Sequence, residues 1–401
     1  MTPPSRVIGV VTVGRSDYGI FVPVLRKIQQ ENRLRFHLIV AGMHLSPEFG
    51  FTVKDIEADG FEIGERVDMV LSSDTPEAIS KSMGLGLIGF AQAYARFRPD
   101  ILLVLGDRFE MHAAALAALP FKIPVAHIHG GEITEGAIDN SLRHSLTKIS
   151  HLHFVANQQY ARRIIQMGEE PWRVIVSGAP SLDNLRSTKL LNPRELAAKY
   201  GLRLERPPLL VTFHPVTLEY EQTEAQVSEM LVALASFEMP VVFTAPNADT
   251  NSRVVTRMIE EFIRKRPSAC LVLNLGTEGY FSMMAFAAAM VGNSSSGIIE
   301  APSFGLPVVN IGTRQQGRIR AKNVLDVGYG RDEIIGGIKK AISLEFRASL
   351  QGIKNPYGDG YASEVIVRHL EEIDLDDRLL VKRFVDISGS LGEERGAGVA
   401  S

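Results

Sequence analysis

Short runs of β-branched and aliphatic residues recur along the chain, each followed by a polar or glycine-bearing loop and then by a longer amphipathic stretch. That alternation is the signature of βαβ construction around a parallel sheet. In the first half the runs fall at residues 7–13, 36–40, 101–105, 125–128, 152–155 and 174–176. Their nearly continuous apolar character suits strands covered on both faces. A turn-rich segment at 178–193 precedes a second series at 209–212, 241–244, 271–273, 290–292 and 308–311. Two series predict an α/β chain with two sheets: an N-terminal domain over 1–180 and a C-terminal, nucleotide-binding domain over 181–361, with a cleft between them.

Composition narrows this picture. The 401 residues are 45% hydrophobic and 22% charged, values of a globular protein. Pro120, Lys122 and Pro124 interrupt the longest apolar stretch, so nothing approaches the roughly 20 residues of a membrane span. The first apolar run contains Gly9 and enters a polar loop rather than a cleavage site, so a soluble, cytoplasmic protein is expected. A formal net charge of −3 leaves no global basic field for nucleic acid or an anionic membrane. The single Cys270 excludes an intrachain disulfide and an all-cysteine metal site, and reads as a buried small hydrophobe. Residues 386–401, rich in Gly and Ser, have too little apolar content to offset their ordering entropy and are expected to form a mobile tail.

In open parallel sheets, ligands sit beyond the carboxyl ends of the strands. The loops there are loaded with polar groups: GRSDYG (14–19, with Arg15, Ser16 and Asp17), GDRFE (106–110), HIHGGEITEGAIDNSLRH (127–144), HPVT (214–217), APNAD (245–249) and GNSSSGIIEA (292–301). Ser294, Ser295 and Ser296, placed between a strand and a helix, offer backbone N–H groups to an anion such as a diphosphate, or serve only as helix caps. Arg15, Arg108, Arg314 and Arg318 lie in or near strand-end loops, where they add charge-assisted bonds to phosphate or remain solvated.

Asp107, Glu132 and Asp139, with His127, His129, His144 and His214, form a carboxylate and imidazole set suited to moving protons. Each has a structural alternative: Asp107 and Asp139 as helix caps, His127 as a hydrogen-bonded core residue. The HIH run places His127 and His129 on one side of a strand, but no third ligand has diagnostic spacing, so no metal site is expected. GLGLIG (84–89) matches a dinucleotide fingerprint; the preceding TPEAISKSM, with Thr75 and Pro76 in cap and first-turn positions, makes it helix instead, its glycines letting two helices pack closely.

Taken together and in order, GRSDYG, LGDRFE, HIHGGEITEGAIDNSLRHSLTKISHLHF, VTFHPVT, GNSSSGIIEA and NIGTRQQGR resemble the hydrolysing UDP-N-acetylglucosamine 2-epimerases of sialic-acid-type pathways. The resemblance implies two Rossmann-like domains facing across a cleft, the glycosyltransferase-B-like arrangement, with residues 362–385 forming a helix that returns to the N-terminal domain. It also implies an activity: hydrolysis of UDP-N-acetylglucosamine to UDP and N-acetylmannosamine through a glycal, with no cofactor, in a dimer or tetramer. By matching positions, Asp107, Asp139 and His214 fall on catalytic positions, and Arg15, Asn247, Ser294, Ser295, Glu300 and Arg314 on nucleotide-sugar contacts. Glu300 is expected on the ribose hydroxyls and Tyr280 near the uracil. One departure is His129, where many relatives carry a glutamate; Glu132 follows three residues later. Three other readings remain: the same chemistry on UDP- or GDP-linked N,N'-diacetylbacillosamine, a glycosyltransferase of the same fold, and a non-catalytic nucleotide-sugar sensor.

Overall fold

The computed structural model describes residues 5–73, 75–134, 138–245 and 251–386. The first sheet has seven strands, β1 (Arg6–Thr12), β2 (Leu34–Ala41), β3 (Ile63–Val67), β4 (Ile101–Leu105), β5 (Val125–Ile128), β6 (Leu152–Val155) and β7 (Val174–Val176). The second has six, β8 (Leu209–Thr212), β9 (Val241–Thr244), β10 (Ala269–Val272), β11 (Ala289–Gly292), β12 (Val308–Ile311) and β13 (Val324–Val327). Their orders are β3-β2-β1-β4-β5-β6-β7 and β10-β9-β8-β11-β12-β13, and every ladder is parallel. The fold is thus the expected pair of doubly wound α/β sheets.

Strand order decides where a ligand goes. Sheet order reverses between β1 and β4 in one unit and between β8 and β11 in the other. The loops leaving two such strands diverge and open a crevice. Those four loops carry GRSDYG, GDRFE, HPVT and NSSSG. The central strands β4, β5, β6, β8 and β11 are buried along their whole length, which is why their sequences are unbroken apolar runs.

Three of the edge strands, β3, β10 and β13, depart from the sequence reading. β3 (IGERV) and β13 (VLDV) were not expected as strands, because an edge strand covered on one face alternates and carries charge. β10 starts two residues before the expected 271–273 and ends before Leu273, which is 66% exposed. GLGLIG does lie inside a helix, Pro76–Arg96, capped by the Thr75 side chain. A Cβ on Gly86 would stand 3.2 Å from the Cβ of Ala113 on the Phe109–Ala118 helix, so that glycine allows the close helix contact. No helix among the described residues is long and apolar enough to cross a membrane.

The chain passes between the units twice, side by side. The Ala179 amide donates to the Tyr357 carbonyl at 2.8 Å. Gly178 (φ 87°) and Gly358 (φ 125°) meet there, and a Cβ on Gly358 would come within 3.2 Å of the Gly178 Cα. Both need the positive φ that glycine adopts without strain. Asp183 then accepts the Ala362 and Ser363 amides at 2.9 and 2.6 Å, fixing the start of the Ala362–Glu372 helix. Ile366, Val367 and Leu370 of that helix pack into the first core beside the Arg15–Gln30 helix. Farther on, buried Arg173 donates to the carbonyls of Arg378, Leu379 and Val381. Residues 387–401, nearly all of the expected tail, lie outside the described residues.

Candidate active site

The crevice of the first unit begins with a strained residue. β5 ends at Ile128, and His129 follows it with φ 65°, a conformation costly for a residue with a Cβ. His127 and His129 therefore do not share one side of a strand as expected. His127 is fully buried, with Nε2 2.7 Å from the Gly106 carbonyl and Nδ1 3.4 Å from Thr147 Oγ1. Burial pushes its pKa down to about 3, so it is a neutral core histidine. The left-handed turn instead swings His129 over Glu132, with Nδ1 to Oε1 at 2.6 Å. Both are buried, and His129 Nε2 has no partner among the described residues.

Arg143 joins this pair to the neighbouring loop. It projects from the Asp139–Ile149 helix, is 1% exposed, and pairs with Asp107 and with Glu132, the latter at 3.1 Å. It also donates to Thr134 Oγ1 at 3.1 Å and the His129 carbonyl at 3.3 Å. One guanidinium so fixes two carboxylates that leave different strands. Asp107 remains 21% exposed and faces the crevice rather than capping a helix. Asp139 opens the helix that carries Arg143 and is partly exposed. Arg108 lies bidentate on buried Glu110, both bonds 3.1 Å.

The second unit reaches the same place. Arg318 is buried with Nη2 3.3 Å from Glu132 and Nε 3.3 Å from the Ile133 carbonyl. Burial works to protonate Glu132, but the charges of Arg318 and His129 overcome it and hold the carboxyl below its usual range. At the other switch point, Gly292 has φ 130° and stands so close to β8 that a Cβ would meet the Thr212 carbonyl at 2.0 Å. That approach brings Asn293 alongside His214, whose backbone it holds by two hydrogen bonds of 2.7 and 2.8 Å. Arg314 and Gln315 donate to the Asn293 carbonyl at 3.2 and 2.8 Å. Burial, then the charges of Arg314 and Arg108, keeps His214 neutral, its pKa well below the usual imidazole range.

In the NSSSG loop the Ser296 amide donates to Ser294 Oγ at 3.3 Å, and the Gly297 and Ile298 amides to the Ser294 and Ser295 carbonyls at 3.2 and 2.9 Å. The amides of Ser294 and Ser295 have no acceptor among the described residues, so the anion-binding reading narrows to them. Tyr280 lies against Ser296, Thr212 and Ser294; burial lifts its pKa to about 12. Glu300 is buried and accepts from Ser181 Oγ at 2.5 Å. Burial raises its pKa to about 7, against the opposing pull of Ser181, His129 and Ser296.

The structure thus gathers Asp107, His129, Glu132, Arg318, His214, Arg314, Ser294, Ser296, Tyr280 and Glu300 around one cleft. The field of Arg108 at His214, and of His129 at Glu300, spans the two units. Arg15 opens its helix at the first switch point and is partly buried, and Ser295 sits at the head of its short helix. One expected contact turns inward: Asp17 is buried and accepts from Thr12 Oγ1 at 2.7 Å and the Val13 amide at 2.8 Å; Ser16 beside it is exposed. Asn247 lies outside the described residues. Sequence reasoning missed Arg143, Asn293, Gln315 and Ser181. Among the described residues no group of three or more His, Cys, Asp or Glu side chains is placed to hold a metal ion.

Known proteins resemble this chain over most of its length. The family model described as UDP-N-acetylglucosamine 2-epimerase matches residues 26–371. The GDP/UDP-N,N'-diacetylbacillosamine 2-epimerase (hydrolyzing) of Campylobacter jejuni is 37% identical, covering 95% of this chain and 99% of its own. The UDP-N,N'-diacetylbacillosamine 2-epimerase (hydrolyzing) of Legionella pneumophila is 36% identical over 94% of this chain and 98% of its own. The fold matches the solved UDP-GlcNAc 2-epimerase of Neisseria meningitidis bound to UDP-GlcNAc, with TM-score 0.78 and 20% identity over 91% and 99% of the two chains.

Proposed function

The chain belongs to the UDP-N-acetylglucosamine 2-epimerase family, and we propose that it hydrolyses UDP-linked N,N'-diacetylbacillosamine, releasing UDP and the sugar epimerised at C2. The observation that carries the chemistry is the Asp107–Arg143–Glu132–His129 network, closed from the other unit by Arg318. It sets carboxylates and an imidazole beside the loop amides of Ser294 and Ser295, a combination that suits a ligand with a proton to move and a diphosphate to lose. Support for this donor sugar comes from the two relatives at 36–37% identity, whose names are those of diacetylbacillosamine enzymes. UDP-N-acetylglucosamine is the second reading, favoured by the family model's own description.

The C2 hydrogen of such a sugar is barely acidic, so the C1–O bond must weaken first. The amides of Ser294 and Ser295, with Arg314, would stabilise the departing diphosphate, which leaves with the C1–O electron pair. Asp107 or Asp139 takes the C2 proton, giving a glycal. Water then adds its oxygen to C1, and a proton reaches the opposite face of C2. His129 suits that second transfer: Nδ1 is tied to a carboxylate and Nε2 is open. Glu300 and Tyr280 would hold ribose and uracil. Incubating the purified chain with UDP-N,N'-diacetylbacillosamine, its GDP counterpart and UDP-N-acetylglucosamine, with no acceptor present, tests the reading. Release of UDP and a manno-configured sugar supports it. UDP release only when an acceptor is added would make the chain a glycosyltransferase, and no release at all would make it a sensor.

A further inference from the structure

Two tyrosines that no functional reading has used form a closed ring of hydrogen bonds around the backbone of one residue, Ile319. The Ile319 amide donates to Tyr160 Oη at 3.2 Å, and Tyr357 Oη donates to the Ile319 carbonyl at 2.9 Å. The two phenol oxygens are 2.8 Å apart. Each hydroxyl has a single proton, and that of Tyr357 is spent on the carbonyl, so the Tyr160 proton must point to Tyr357 Oη. Every donor and acceptor in the ring is then used once. Both rings are fully buried, and burial raises both phenol pKa values, which keeps the protons of the ring in place.

The three partners come from different parts of the fold. Tyr160 belongs to the Gln158–Gln166 helix of the first unit, Tyr357 to the second crossing of the chain, and Ile319 to the loop after β12. A small apolar cluster made of both units, with Val155, Ile164, Leu182, Ile298 and Ile299, surrounds the two rings. The residue before Ile319, joined to it through the very peptide whose N–H bonds Tyr160, is Arg318. That is the side chain of the second unit that reaches across to Glu132, with its Nη1 buried and without a partner among the described residues. A long side chain keeps such a reach only if its backbone is fixed.

We propose that Tyr160 and Tyr357 are positioning residues: by clamping the Ile319 backbone on both sides of its Cα they hold Arg318 against Glu132 and so complete the proton-transfer network across the domain junction. The proposal rests on the epimerase reading for its catalytic consequence and on the ring alone for its geometry. Phenylalanine at either position keeps the packed ring and removes one hydroxyl. Tyr357→Phe and Tyr160→Phe are each expected to lower kcat about tenfold while KM changes by less than about twofold.

The deciding comparison is a double-mutant cycle with Arg318→Ala. If the tyrosines act through Arg318, adding Tyr357→Phe to Arg318→Ala costs no further activity. Losses that multiply would overturn the proposal, as would a fall in KM and kcat that follows the melting temperature. Should the wild-type chain turn over none of the nucleotide sugars, the epimerase reading fails and the clamp is judged by a crystal structure of the Tyr160→Phe/Tyr357→Phe variant. Arg318 withdrawn from Glu132 upholds it, and Arg318 still in place refutes it. Should that variant not fold, hydrogen exchange at the Ile319 amide in Tyr160→Phe decides, with unchanged protection counting against the clamp.

Discussion

Asn293 grips the backbone of His214 on both sides of its Cα, its Oδ1 accepting the His214 amide at 2.7 Å and its Nδ2 donating to the His214 carbonyl at 2.8 Å. Both residues are buried, so water cannot replace either bond. Asn293→Asp keeps the shape but turns a donor into an acceptor facing the His214 carbonyl. The expected loss is about 1–3 kcal/mol of stability, with a fall in kcat as the imidazole shifts. Urea unfolding and steady-state kinetics check it. Unchanged kinetics in a destabilised protein would mean that the His214 backbone has no bearing on turnover.

Asp107 and Asp139 separate chemistry from structure. Asp107→Asn and Asp139→Asn should each retain UDP affinity within about threefold while kcat falls about a hundredfold or more. Asp107 also balances Arg143, so its variant should lose some stability as well, whereas Asp139→Asn, at a partly exposed helix start, should not. Titration calorimetry with UDP provides the control. Variants that bind UDP and still turn over would remove both from the proton-transfer steps.

The elimination and hydration scheme leaves an isotopic record. In deuterated water the freed sugar should carry one deuterium at C2, and in heavy-oxygen water the label should enter at C1. Mass spectrometry and proton NMR of the product read both positions. A product keeping its original C2 hydrogen would rule the scheme out.

The Glu300 carboxyl titrates at about 7 in the fold, above the ordinary glutamate value, because burial penalises its charge. The folded state therefore binds a proton that the unfolded chain has lost, and stability falls as pH rises from about 4.5 to about 7. Ribose hydroxyls donate best to the carboxylate, so UDP should bind more tightly as pH rises through the same upper limit. Glu300→Gln should flatten that rise relative to wild type and remove the stability loss. Calorimetry and thermal melting across the window test both. An unaltered affinity profile in the variant would place the ribose elsewhere.

Much of this architecture could be read from residues alone, and the exceptions share a cause. β4, β5, β6, β8, β9 and β12 match the expected strands residue for residue, since burial leaves an unambiguous apolar run, and the partly exposed edge β7 matches because all three of its residues are β-branched. β3 and β13 escape because charged residues interrupt their half-covered edges. In the site, Asp107, His129 and Glu132 were legible as strand-end polar residues. Arg143 was not, although it left a trace: it shares the buried face of its helix with Leu146 and Thr147, and a cation there demands a buried carboxylate. Asp17 sat in the right loop but turned inward, since a short acid beside a helix start satisfies backbone donors more readily than it reaches a ligand. Tyr160 and Tyr357, separated by 197 positions, meet only through the tertiary fold.

The seam at Gly178 and Gly358 has a consequence for traffic through the cleft. The two crossings lie flank to flank at a single place, tied by one backbone hydrogen bond, so any hinge between the lobes would have to pass through it. A methyl group on Gly358 would press on the Gly178 Cα, and one on either would have to take up a left-handed backbone that only glycine holds without strain.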